Sequence, residues 1–269
     1  MKKGLLKKVL SIAVIGVISF SLAACTNKKQ AGLDKIKSSG KLVLGTSADY
    51  PPYEFHKNID GKDTIIGFDI AIAEEMAKDL GVELEVKDMD FDGLLAALNT
   101  GNVDIVMAGM TPDETRKKKA DFSKIYYNAV QEIIVRTEDS DKFKSLEDFN
   151  GKKIGVQKGS IQQKMAESQL KGAEIKGLSK VTDLVLELKN KKVDAIVVEK
   201  PVAEAYIKKN ADMTLASSKL KEESEGGSAV ALSKNSGELL ESVNKTLDRL
   251  IKDNSITNFV VKYNDLMEE

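Results

Sequence analysis

Residues 103–116 read VDIVMAGMTPDETR, and the rest of the chain is interpreted outward from them. The run 103–108 is apolar and branched, the composition of a buried strand, and it breaks at Gly109. Thr111, Pro112 and Glu114 then spell a helix start: Thr at the N-cap, Pro at the first helical position, and Glu three residues past the cap to close a capping box. A helix beginning there presents unpaired N–H groups and a partial positive charge at the strand end, and Arg116 adds a two-pronged cation one turn further on. Two readings are open at this point. Either Thr111 caps a helix and Arg116 pairs with a surface acid, or the assembly receives a small carboxylate.

Upstream, residues 41–46 (KLVLGT) read as a second buried strand, and residues 47–55 (SADYPPYEF) break it with two prolines into a loop. Tyr50, Tyr53 and Phe55 on that loop are suited either to a ligand wall or to a plug at the end of a core. Residues 67–80 (GFDIAIAEEMAKDL) place Phe68, Ile72, Met76 and Leu80 at helical spacing, and Gly81 stops the helix. A strand at 82–86 and a helix at 93–99 follow, then the strand at 103–108. Strands alternating with helices predict an α/β fold with a mainly parallel sheet, and such sheets bind ligands at the carboxyl ends of their strands.

Downstream, the pattern starts again near Ser145. A strand is expected at 153–156, and Ser160 with Gln163 forms a second helix start. At an offset of 90 residues, Leu94, Leu98, Val103, Asp104 and Val106 align with Leu184, Leu188, Val193, Asp194 and Ile196. That period is too long for a solenoid and predicts two similar lobes with a cleft between them. The alignment sets Glu199 opposite Gly109. One lobe therefore brings an anion-binding strand end, and the other a carboxylate suited to an ammonium group. The crossovers at 129–135 and 225–228 are expected to act as a hinge. The division is lobe 1 over residues 39–130 and 226–269, and lobe 2 over 131–225.

Lys2, Lys3, Lys7 and Lys8 precede an apolar run at 9–20 that ends in Leu22-Ala23-Ala24-Cys25, so residues 1–24 read as an export signal. The sequence around Cys25 resembles a bacterial lipobox, which implies cleavage before Cys25, diacylglycerol and acyl chains on it, and a tether over residues 25–38. Removing the signal leaves 37 basic side chains against 42 acidic ones, which excludes a basic nucleic-acid-binding domain. His56 is the sole histidine and is expected to be solvated. With Cys25 the sole cysteine, there is no His or Cys metal cluster and no Ser-His or Cys-His nucleophile pair. No metal or cofactor is expected.

The blocks SADYPPYEF, GFDIAIAEEMA, DFDGLLAALNTGNVDIVMAGMTPDETRKKKADFS, GKKIGVQKGS and VDAIVVEKP span nearly the whole mature chain. Together they resemble the amino-acid class of bacterial extracellular solute-binding proteins, family 3. The resemblance implies a two-lobed periplasmic-binding-protein-like fold of type II. It also implies closure on a free L-amino acid, polar or basic, and delivery to an ABC-transporter permease by a monomer lipid-anchored at the extracellular face of the cell membrane. Carried over by residue, it implies an aromatic clamp at Tyr50 and Phe91, carboxylate contacts at Gly109, Thr111, Arg116 and Ser160, and an ammonium contact at Glu199. Ser47 and Gln157 fall where members touch the ligand side chain. Two positions depart from the commoner pattern: Glu199, where many members carry Asp, and Ser47, where several that bind basic or amide side chains carry Asp. The alternative on the same fold is a cyclohexadienyl dehydratase-like enzyme using Glu199 as its acid.

Overall fold

The computed structural model describes residues 31–221 and 226–267. The expected signal, Cys25 and the start of the tether lie outside the described residues, as do residues 222–225 on the return between lobes.

The chain opens with α1 (Ala31–Ser39), then β1 (Lys41–Thr46), β2 (Asp49–Tyr50), β3 (Glu54–Ile59), β4 (Lys62–Ile66), α2 (Phe68–Leu80), β5 (Glu83–Asp88), α3 (Leu94–Asn99), β6 (Ile105–Val106), α4 (Glu114–Lys117) and β7 (Ala120–Phe122). The second lobe holds β8 (Gln131–Arg136), β9 (Lys153–Gln157), α5 (Ile161–Gln169), β10 (Glu174–Leu178), α6 (Val181–Lys189), β11 (Ala195–Glu199), α7 (Lys200–Lys209) and β12 (Met213–Leu215). The chain then returns to the first lobe through β13 (Ala231–Ser233), α8 (Gly237–Lys252) and α9 (Ser255–Asp265).

Two five-stranded sheets result, ordered β5-β1-β6-β13-β7 and β10-β9-β11-β8-β12. In each, three neighbouring strands are parallel, and the fourth runs against both its neighbours. That reversed strand, β13 or β8, is the one the chain enters on arriving from the other lobe. The repeat seen in the sequence is thus a repeat of topology. Asp104 and Asp194 do the same work in the two lobes, accepting the backbone N–H of Val43 at 3.0 Å and of Lys153 at 2.9 Å.

The apolar spacing of α2 buries Phe68, Ile72 and Met76, and Gly81 ends it at φ 72° with the Val82 N–H returning to Ala77 at 3.0 Å. Two expectations are corrected. Residues 33–38, read as tether, lie in α1, where Leu33 and Ile36 are buried; each contributes about 2 kcal/mol by leaving water. The stretch 47–55, read as loop, contains β2 and the start of β3, because Glu54 to Ile59 pairs with Lys62 to Ile66 in a hairpin that lobe 2 lacks. His56 on β3 is exposed as expected, with its Nδ1 2.9 Å from the exposed Asp63.

Among the described residues, no helix is long and apolar enough to cross a membrane, and no three His, Cys, Asp or Glu are grouped to hold a metal ion.

Candidate functional site

The carboxyl ends of β1 and β6 in lobe 1 face those of β9 and β11 in lobe 2, and the lobes are closed on each other. Ser47, Tyr50, Phe91, Thr111, Arg116, Gln157, Ser160 and Glu199 are all buried, and Gly109 is partly so. Of the nine residues singled out in the sequence, Tyr50 and Glu199 touch across the lobes, and Phe91 and Thr111 lie against Arg116.

The side expected to receive a carboxylate is built differently from its sequence reading. Thr111 does not cap the helix; Asp113 does, its Oδ1 accepting the Arg116 N–H at 2.7 Å and its carbonyl the Lys117 N–H at 2.8 Å. The turn thus starts two residues later than Thr111 and Pro112 suggest, and α4 is only four residues long. So short a helix adds little dipole, and the charge there belongs to the Arg116 side chain. Its Nη1 donates to the Thr111 carbonyl at 2.6 Å, its Nη2 crosses the cleft to the Gly159 carbonyl at 3.0 Å, and its guanidinium carbon lies 5.3 Å from the Phe91 ring centre. Burial pulls the Arg116 pKa down, opposed by the charge of Asp113.

In lobe 2, Ser160 caps the nine-residue α5 as expected, accepting the Gln163 N–H at 3.1 Å. Gln163 closes the turn on the Gly159 N–H at 2.9 Å rather than on Ser160 itself. Gly159 has φ +76°, and a Cβ there would come within 3.1 Å of Asp92 in lobe 1. Glycine is thus required twice, by the turn and by the contact between lobes.

Glu199 ends β11, immediately before α7, and lies against aromatic side chains of lobe 1. The Tyr53 hydroxyl donates to its carboxylate, and its own backbone N–H donates to the Tyr50 hydroxyl at 3.1 Å. Burial, then the Glu199 charge, pushes both phenols well above their ordinary range, so each stays protonated. Rings of Tyr50, Tyr53, Phe68 and Tyr127 form a continuous wall, with centroids 4.3 to 5.7 Å apart.

Ser47 donates to Asp49 at 3.0 Å, while Gln157 makes only a long contact, 3.4 Å, to the Ser179 carbonyl. Sequence reasoning missed Asp49 itself. Its carboxylate accepts the Val181 N–H at the start of α6 across the cleft, its carbonyl accepts the Tyr206 hydroxyl at 2.8 Å, and burial raises its pKa. It also missed Gln162, which donates to Gln131 at 2.8 Å and reaches the Tyr50 hydroxyl at 3.3 Å. At the rim, acids of lobe 1 meet lysines of lobe 2: Asp92 with Lys158 at 2.7 Å, Asp88 with Lys180 at 3.3 Å, and Asp113 with Lys164.

Two α/β lobes joined by paired crossovers, closed over a buried arginine from one lobe and a buried glutamate from the other, define a solute-binding protein that works by closure. The chain belongs to the bacterial extracellular solute-binding proteins, family 3, whose family model matches residues 42–265. It is 41% identical over 247 residues to the arginine-binding extracellular protein ArtP of Bacillus subtilis, covering 91% of this chain and 93% of that one. It is 31% identical to the L-cystine-binding protein TcyJ of Escherichia coli K12, with 91% of each chain covered. Among solved structures, an amino acid ABC transporter substrate-binding protein from Streptococcus pneumoniae bound to L-arginine superposes with a TM-score of 0.85 at 37% identity, over 88% of this chain and 98% of that one.

Proposed function

We propose that the protein captures a free L-amino acid with a cationic side chain, L-arginine foremost, and presents it to an ABC-transporter permease. The observation that carries this reading is the charge balance of the closed cleft. Arg116 is its buried cation, whereas Asp49 and Glu199 are both buried acids at the contact between the lobes. A zwitterion leaves that balance negative; a ligand bearing one more positive charge offsets it, and a buried net charge is costly. The similarity to arginine-binding proteins supports the same choice.

In this reading Arg116, the Gly109 and Thr111 backbone and the Ser160 helix start hold the carboxylate. Glu199 holds the α-ammonium, Tyr50 and Phe91 clamp the side chain, and Ser47 and Gln157 line its far end. Ligand groups held from both lobes favour the closed state over the open one. The protein acts without catalysis and as a monomer. Lipid on Cys25 keeps it at the extracellular face of the membrane, and mass spectrometry of the mature N-terminus checks that anchor.

The deciding experiment is a thermal-shift screen against the twenty amino acids together with agmatine, which keeps the guanidinium and lacks the carboxylate. At 100 times its dissociation constant a ligand adds about 2.7 kcal/mol. L-arginine is expected to give the largest shift and agmatine none. A screen with no shift for any amino acid would overturn the reading, and turnover of prephenate or arogenate would replace it with the enzyme.

A further inference from the structure

The loop from Gly109 to Thr111 is attached to the hinge at two points. The Met110 carbonyl accepts the Ala229 N–H of the return crossover at 3.0 Å. The Gly109 N–H donates to Asp69 Oδ2 at 3.1 Å, and the same carboxylate accepts the Tyr126 hydroxyl, 2.8 Å from each of its oxygens. Tyr126 lies on the outgoing crossover, between β7 and β8. Its own N–H donates to the Ser228 carbonyl at 2.9 Å, and the neighbouring Tyr127 forms a bridge with Ser228, so the two crossovers are paired where Asp69 reaches them. Asp69 itself is wholly inaccessible, in the first turn of α2.

We propose that Asp69 is the positioning residue of the anion-binding loop, its buried carboxylate holding the Gly109 amide and the Tyr126 hydroxyl together so that loop shape and hinge position are set by one group. The inference rests on the proposed role of that loop in holding a ligand carboxylate.

Glu54 leaves the negative charge of the buried pair to Asp69. It is also wholly buried, and neither of its oxygens receives a hydrogen bond from a protein donor. Burial, then repulsion from Asp69 and Asp49, pushes its carboxyl well above the carboxylate range, leaving a neutral acid. Burial also raises Asp69, to about 6, against the pull of the Gly109 N–H, the Tyr126 hydroxyl and Glu54. The charged or titratable groups acting on this pair, namely Asp49, Glu199 and Tyr126, are acids or a phenol. A single negative charge at Asp69 is held by the Gly109 N–H and the Tyr126 hydroxyl.

The test combines an NMR titration with binding. In the wild-type protein the Gly109 amide signal is expected to move as pH is carried across 6, and in Asp69→Asn to stay fixed. Tyr126→Phe removes one hydroxyl and no charge; it is expected to weaken L-arginine binding by roughly 5-fold, and Asp69→Asn by roughly 20-fold, chiefly through faster dissociation. Circular-dichroism melts establish that both variants fold, and Tyr126→Phe carries the test alone if Asp69→Asn does not. Unchanged affinity in the folded variants, or a Gly109 amide that ignores pH in the wild type, overturns the inference. A wild-type protein that binds no amino acid overturns the functional reading instead.

Discussion

Lobe 1 and lobe 2 share a strand order, a reversed strand in the same place and an aspartate that accepts the same backbone N–H, yet their strand ends carry opposite chemistry. β6 runs on into Gly109 and a loop that reaches Arg116, whereas β11 stops at Glu199, immediately before α7. The hairpin of β3 and β4, with β2, exists only in lobe 1, and this segment supplies Tyr50, Tyr53, Asp49 and Glu54. The scaffold therefore fixes where the two ends meet. Residues at the strand ends and one insertion decide what they hold.

The largest expected effect breaks the positive end. Arg116→Ala removes a buried cation from a matched site, and calorimetry with L-arginine should show a loss of about 3 kcal/mol, roughly 100-fold. Glu199→Gln keeps the shape of the negative end and removes its charge; a smaller loss is expected, roughly 30-fold, measured in the same way.

A pair of glycine substitutions compares the packing of the lobes. A Cβ at Gly155 would meet Leu184 at 2.9 Å and Ile196 at 3.0 Å, while one at Gly45 would meet Val103 at 3.2 Å. Gly155→Ala is thus expected to cost about 2 kcal/mol in urea unfolding, and Gly45→Ala about half as much.

Asp69 gives the pH signature of lobe 1. Its native pKa is raised to about 6, so the folded state binds its proton more tightly than the unfolded one does. The corresponding stability is present below the unfolded value near 4 and lost as pH rises through 6, about 1 kcal/mol between pH 5 and 7. The difference between wild-type and Asp69→Asn melts should show that slope. The smallest effect is at the rim, where Asp92–Lys158 and Asp88–Lys180 are partly exposed. Lys158→Gln should weaken L-arginine binding by at most about 0.5 kcal/mol, and added salt should erase the difference.

The lobes were legible in the sequence because their signal is local and repeated: Leu94, Leu98, Val103 and Asp104 recur 90 residues later, and each pair packs or bonds alike. The helix start was misplaced because two caps compete within three residues. Thr111 with Glu114 and Asp113 with the Arg116 amide both satisfy the pattern, and only the folded chain shows that Asp113 holds the cap. The hairpin at 54–66 was hidden by the prolines before it. Asp49 and Gln162 left no sequence signal, since their partners Val181 and Tyr50 lie 132 and 112 residues away and are reached only once the lobes shut. Polar contacts of that kind have no periodicity to read.

The placement of β13 has a consequence for how the chain is made. It lies inside the first sheet, between β6 and β7, yet comes from residues 231–233, after the whole of lobe 2. Lobe 2 is contiguous from β8 to β12, and every strand of its sheet is present once residue 215 has emerged. Lobe 1 waits, with the edges of β6 and β7 unpaired, until nearly the last of the chain has been made. The later half of the sequence is therefore expected to fold first, and the half that begins synthesis to finish last.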